Sequence, residues 1–288
     1  MFDDVLRAAY LRRLGLDPEP PSTEALRRLH QRHVERVPYE TLWIHSGENW
    51  DLDPIAAARR IALHGRGGYC YHLNGGFAAL LRSLGYDVHR HVGGVHGPEG
   101  PDAAALGNHL ALTVNGLPTE TNASGAWYVD VGLGDALHEP IPLVAGAYRH
   151  EPFSLLLTDS PEAARGWHLR HDPRGGFAGM AWTDAEATWS DFEAQHRWLS
   201  TSPDSGFVRV GMAQCRDVSG VDVVRGLTVF RVGITTSASE PTTNRANWFD
   251  ALRELCGLHF DATPPETLDR LWQRTVANHR SWEDAGRP

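Results

Sequence analysis

Residues 66–77 read RGGYCYHLNGGF. An arginine and two glycines lead into a cysteine, and the residues beyond it, through Phe77, Leu80 and Leu81 to Gly85, have the apolar spacing of a helix that starts at or near Cys70. A helix beginning there points unpaired amides and the positive end of its dipole at the sulfur, which favours the thiolate. The same amides can receive the oxyanion that forms when the sulfur attacks an acyl group. Gly67 and Gly68 let the backbone turn tightly just before it. Cys70 is therefore the candidate nucleophile, against the plainer alternative of a buried structural thiol. Cys215, in a strand-like run, and Cys256, between Leu255 and Gly257, fit that plainer description. Three cysteines with no CxxC pair suggest neither a disulfide framework nor a structural zinc site.

A thiolate nucleophile needs a base, and the base needs an orienting group. The chain has 16 histidines, so context must choose among them. His109 heads the apolar strand NHLALTV, and Asp130 interrupts the apolar run WYVDVGLG. A carboxylate inside an apolar strand is costly to bury unless it is paired, which makes Asp130 a candidate to hold an imidazole. The glycines at 132 and 134 leave open that Asp130 only forms a turn at a strand end.

RGGYCYHLN, NHLALTV and WYVDVGLG, in this order, resemble the arylamine N-acetyltransferase family. The opening YLRRLGL, LHQRHVERVPYETL and the later FEAQHRWLSTSPDSGFV also resemble segments of that family, so the likeness runs through most of the chain. It implies an α+β fold: an N-terminal helical bundle, a central antiparallel β-barrel and a C-terminal α/β lid around a catalytic core like that of papain and transglutaminases. It implies that Cys70 is the nucleophile, His109 its base and Asp130 the orienter. Arg66 and Glu40 match a buried ion pair beside the cysteine, and Tyr39 and Leu133 match acceptor-pocket positions. Gly68, Tyr69 and Asn74 belong to the cysteine motif and are expected to support the site.

The implied chemistry is ping-pong transfer of an acetyl group from acetyl-CoA, through a Cys70 acyl-enzyme, to the nitrogen of an aromatic amine or hydrazine. Departures from the family pattern stand at His72, where Glu or Gln is common, at Thr41, where Asn is frequent, and at Leu133, where Phe is common. His72 is expected to face solvent or to tune the thiolate. Leu133 reshapes the acceptor pocket and keeps open an amide synthase that takes a longer acyl chain from a carrier protein. A cysteine hydrolase is the alternative from another class.

Composition bounds the rest. The net charge is −9 and the chain contains no lysine, so there is no basic stripe for nucleic acid, no Schiff-base lysine and no Walker lysine. The acids at Asp3 and Asp4 are unlike a signal peptide, and no run approaches the ~20 apolar residues of a membrane helix. A cytoplasmic protein with no membrane partner is expected. His89 and His91, two apart on a strand with His96 nearby, are the one arrangement that suggests a metal, but partly exposed strand histidines are common in a chain with 16 and no metal is expected. The pattern changes after Gly85 from helical to short alternating runs, with FVRVGMAQCR, VDVVRG and LTVFRVG as late strands and NRANWFDALRELCGL and PPETLDRLWQRTVANH as late helices. Three parts are expected: 1–86, carrying the nucleophile; 87–204, carrying His109 and Asp130; and 205–288, the lid.

Overall fold

A computed structural model describes residues 2–101, 105–160, 165–235 and 240–284. Local capping chemistry sets the helices of the first third. Helix α1 (Asp4–Leu14) starts at Asp3, whose carboxylate accepts from the Leu6 amide, and α2 (Thr23–Arg36) at Ser22, whose hydroxyl accepts from Ala25. A two-residue strand, β1 (Tyr39–Glu40), and a short helix, α3 (Leu42–Ser46), follow Pro38. Asp53 caps α4 (Pro54–His64), whose proline occupies the first turn. Helix α5 (Cys70–Ser83) begins at the cysteine, as its sequence predicts.

Eight strands come next: β2 (Asp87–His96), β3 (His109–Asn115), β4 (Trp127–Val129), β5 (Ile141–Pro142), β6 (Gly146–His150), β7 (Phe153–Asp159), β8 (Gly166–Arg170) and β9 (Gly179–Glu186). They form an antiparallel sheet in the order β5-β4-β3-β2-β9-β8-β7-β6, a nearly closed barrel. The Tyr148 hydroxyl ties its two ends by donating to the carbonyls of Pro142 (3.2 Å) and Val144 (2.6 Å). Helices α6 (Ser190–Thr201) and α7 (Gly206–Arg209) lead to β10 (Met212–Asp217), β11 (Gly220–Arg225), β12 (Thr228–Gly233) and β13 (Glu240–Pro241), then α8 (Arg245–Cys256) and α9 (Pro265–Asp284).

Both faces of β3 are buried, and the two faces do different work. Leu110, Leu112 and Val114 share one core with Leu73, Phe77, Leu80 and Leu81 of α5. Burying each such side chain contributes roughly 1.5–3 kcal/mol. Ala111, on the other face, joins Tyr128 and Trp182 in the barrel interior, where those two rings stack at 4.4 Å. Helix α5, which begins at the candidate nucleophile Cys70, is thereby packed directly onto the strand that carries His109.

Three sequence expectations need correction. The first three residues of FVRVGMAQCR, 207–209, belong to helix α7, and the strand starts only at Met212. Ser205 is the reason: its hydroxyl accepts from the Phe207 amide and donates to the Leu199 carbonyl, closing a cap that outweighs the alternating pattern. The helical first ninety residues contain β1, which exists because Tyr39 and Glu40 pair with Gln214 and Ala213 of β10. The second sheet, β1-β10-β11-β12-β13, is thus built from both ends of the chain. Strands β5 and β6 were not anticipated, being short and having no run of apolar alternation. Among the described residues, no helix is long and apolar enough to cross a membrane.

Candidate active site

Cys70 is the first residue of α5 and 3% exposed. The amides of His72 and Leu73 turn back onto the Tyr69 carbonyl, so the amides of Cys70 and Tyr71 head the helix. Gly68, with φ at +123°, makes the turn into it, and its carbonyl accepts from the Glu40 amide at 2.9 Å. From the other side Gly132 presses so closely that a Cβ there would lie 2.7 Å from the Cys70 Cα. The thiol reaches the Asn108 carbonyl at 3.5 Å and shares the cavity wall with the His109 ring.

The antiparallel register pairs Leu112 with Val129 and brings His109 and Asp130 to the same end of the ladder. His109 Nε2 meets Asp130 Oδ2 at 2.7 Å, leaving Nδ1 for the cysteine. Asp130 follows the last residue of β4 rather than lying within the strand, and its Oδ1 accepts from the Gly132 amide at 2.9 Å. It therefore makes the turn and holds the imidazole as well. Two further donors complete its shell: Asn74 Nδ2 to Oδ1 (2.8 Å) and the Tyr128 hydroxyl to Oδ2 (2.7 Å). Burial alone would push this carboxyl up; His109, Asn74 and Tyr128 outweigh it and hold it below the usual carboxylate range. Burial likewise opposes charge on His109, but Asp130 and Cys70 raise its pKa to about 10.

The supporting residues divide into two groups. Tyr39 and Leu133 line a cavity of about 510 Å³ that opens onto Cys70 and His109. Its roof comes from the C-terminal part of the chain, with Phe207, Val223 and Phe230 among the residues facing in. Tyr69, Arg66 and Glu40 lie elsewhere. Tyr69 is fully buried, stacked on Trp43, with its hydroxyl 2.5 Å from His196 Nδ1. Arg66 is forked onto Glu40 at 2.7 and 3.2 Å, and Glu40 also accepts from the Leu42 amide. Burial works against the Arg66 charge, and Glu40 and Glu48 overcome it. Glu40→Ala is expected to lower unfolding free energy by roughly 3–5 kcal/mol, because it strands a buried guanidinium. Urea denaturation reads this directly, and a loss below about 1 kcal/mol would show the pair to be dispensable.

His72 departs from its expectation of facing solvent: it is 1% exposed, ringed by Trp43, Trp50, Tyr69 and His196, and burial lowers its pKa well below the ordinary value. Thr41 accepts the Met212 amide at 3.0 Å. Cys215 is half-buried beside Cys256, and that neighbour together with desolvation pushes its thiol well above the ordinary range. The three strand histidines have separate partners: His89 pairs with Asp87 (3.1 Å), His91 meets Thr113 (2.8 Å), and His96 Nε2 meets His168 Nε2 (2.9 Å). Among the described residues no group of three or more His, Cys, Asp or Glu converges as a metal site.

Two residues of the site escaped sequence reading. His30 on α2 places Nε2 3.0 Å from the Asp130 carbonyl and Nδ1 3.1 Å from that of His138, pinning the backbone at the orienting carboxylate. Its place on the apolar face with Leu26, Leu29 and Val34 signals burial but names no partner. Asp135 lies buried on the cavity wall; its only sequence signal is a charge just beyond WYVDVGLG.

Residues 22–265 match a family model described as N-acetyltransferase. The chain is 31% identical over 278 residues to the arylamine N-acetyltransferase of Mycolicibacterium smegmatis, covering 90% of this chain and 97% of that protein. Among solved structures, Mycobacterium marinum arylamine N-acetyltransferase in complex with CoA aligns with a TM-score of 0.81 at 25% identity, covering 93% of this chain and 97% of that one. The Salmonella typhimurium arylamine N-acetyltransferase shares the fold, with a TM-score of 0.80 at 24% identity over 94% of this chain and 98% of that one.

Proposed function

The chain belongs to the arylamine N-acetyltransferase family, and we propose that it moves an acetyl group from acetyl-CoA to an aromatic amine or hydrazine through an acyl-enzyme on Cys70. The observation that carries this reading is the placement of Cys70 and His109 together on one largely apolar cavity, with His109 held by Asp130 at 2.7 Å.

His109 takes the thiol proton, and the thiolate attacks the thioester carbonyl. The oxyanion forms against the amides at the start of α5, chiefly those of Cys70 and Tyr71. As the intermediate collapses, the carbon–sulfur bond to CoA breaks, and the imidazolium returns its proton to the departing thiolate. One thioester replaces another, so the acetyl-enzyme is close in energy to its precursors and persists until an amine arrives. The amine nitrogen then attacks, His109 accepts its proton, and Cys70 leaves as the thiolate when the amide forms. Weakly basic aromatic amines suit the second half because they are uncharged and nucleophilic near neutral pH.

Asp130 keeps the His109 proton on Nε2, so that Nδ1 is free for the thiol. The roof of the cavity serves to keep water from the acetyl-enzyme, since entry of water would turn transfer into hydrolysis. Initial rates with acetyl-CoA and a neutral aniline varied together are expected to give parallel double-reciprocal lines. Intersecting lines would mean that both substrates bind before any transfer and would sink the acyl-enzyme.

A further inference from the structure

Asp135 is 5% exposed, yet its side chain borders the reaction cavity. It lies three residues beyond Gly132, which is packed on the backbone of Cys70. The Asp135 amide turns back onto the Leu133 carbonyl at 2.9 Å, so the carboxylate stands beside Leu133 on the wall of the cavity that also reaches Cys70. Its two contacts come from the protein side. Gly176 donates its amide to Oδ2 at 2.6 Å, and His171 Nε2 stands 3.3 Å from Oδ1. His171 Nδ1 accepts the Asp172 amide at 2.8 Å, and its Nε2, though near Asp135, completes no hydrogen bond to it.

Neither neighbouring arginine takes up the remaining lone pairs through its described hydrogen bonds. Arg174, from the loop that lines the cavity, is forked onto Asp172 at 2.9 and 3.0 Å. Arg216 feels the charge of Asp135 but donates to the backbone carbonyls of Ala136, Asp217, Gly220, His150 and Glu151. An ionised carboxylate offers about four acceptor positions, so Asp135 keeps capacity for a ligand on a wall that is otherwise largely apolar.

We propose that Asp135 determines the acceptor: it selects aromatic amines that carry a cationic nitrogen group, such as an amidinium or aminomethyl, at the ring end remote from the reacting nitrogen, and it disfavours ring carboxylates. This rests on the acyl-transfer reading above and narrows its substrate class. The cationic group donates to Asp135, and the ring lies along the apolar wall by Leu133 with its aniline nitrogen at the acetylated sulfur. The Gly176 amide is the positioning group that holds the carboxylate at the cavity.

The test uses acetyl-CoA with 4-aminobenzamidine, aniline and 4-aminobenzoate, on the wild type and on Asp135→Asn. Comparing variant with wild type for each acceptor cancels the amines' intrinsic nucleophilicity. The loss in kcat/KM is expected to be about tenfold larger for 4-aminobenzamidine than for aniline and to reside in KM, while 4-aminobenzoate improves relative to aniline. The same ratio for all three acceptors overturns the proposal. Intact-mass measurement of the acetylated chain separates the two levels. A wild type that takes up no acetyl group overturns acyl transfer itself, whereas normal acetylation with flat acceptor ratios overturns only the role of Asp135. Should Asp135→Asn not fold, competitive inhibition of the wild type decides. Benzamidine is expected to bind about tenfold more tightly than benzoate, and equal or reversed affinities overturn the proposal.

Discussion

Incubation with acetyl-CoA is expected to add one acetyl group to the chain, and Cys70→Ala is expected to take up none and to lose all measurable amide formation. The expectation follows from position. Cys70 alone among the three cysteines combines a place at a helix N-terminus with a border on the cavity beside His109. Cys215 is held protonated by Cys256 and burial, and Cys256 is buried in an apolar cluster with Trp248 and Leu252 of α8. The alanine side chain is smaller by one atom at a site already in contact with Gly132, so the fold should tolerate it. Retained acetylation in the variant would place the nucleophile elsewhere. A wild type that ignores acetyl-CoA but accepts a longer or carrier-bound acyl thioester would shift the assignment to an amide synthase. Rapid loss of the acetyl group to water would favour a hydrolase.

The second large effect is expected from Asp130→Asn, with kcat lowered by roughly 10³–10⁴. Asp130 accepts from four donors: His109, Asn74, Tyr128 and the Gly132 amide. An amide has one oxygen and one NH₂ in place of two acceptor oxygens. If its NH₂ faces His109, that ring must carry its proton on Nδ1, toward Cys70, and can no longer accept the thiol proton. If it faces Asn74 and Gly132, two buried donors lose their partner, at about 1–3 kcal/mol each. Thermal unfolding must therefore accompany the kinetics: a folded variant that keeps more than a tenth of wild-type kcat would show that Asp130 does not set the imidazole tautomer.

Much of the architecture was legible because its determinants are local. Ser22, Asp53 and the glycine turn before Cys70 announce helix starts through chemistry confined to a few residues. The alternation in NHLALTV and GMAWT marks strands for the same reason. Strand β1 was hidden because Tyr39 and Glu40 are extended only by virtue of Gln214 and Ala213. The expected exposure of His72 failed on similar grounds, since the aromatic ring around it draws on residues as distant as Trp43 and His196.

By itself, then, the sequence determined where the candidate nucleophile stands, which helix presents it, and which histidine and aspartate are chemically suited to join it, because capping, turn formation and periodicity act over a few residues. Only the tertiary structure decided that Asp130 lies just past its strand with four donors around it, that His30 pins its backbone, that the C-terminal sheet takes its edge from Tyr39, and that Asp135 faces the cavity. Each of those depends on groups far apart along the chain that meet because burial of α5 against β3 and pairing of β1 with β10 bring them together, and no local pattern encodes which distant partner will arrive.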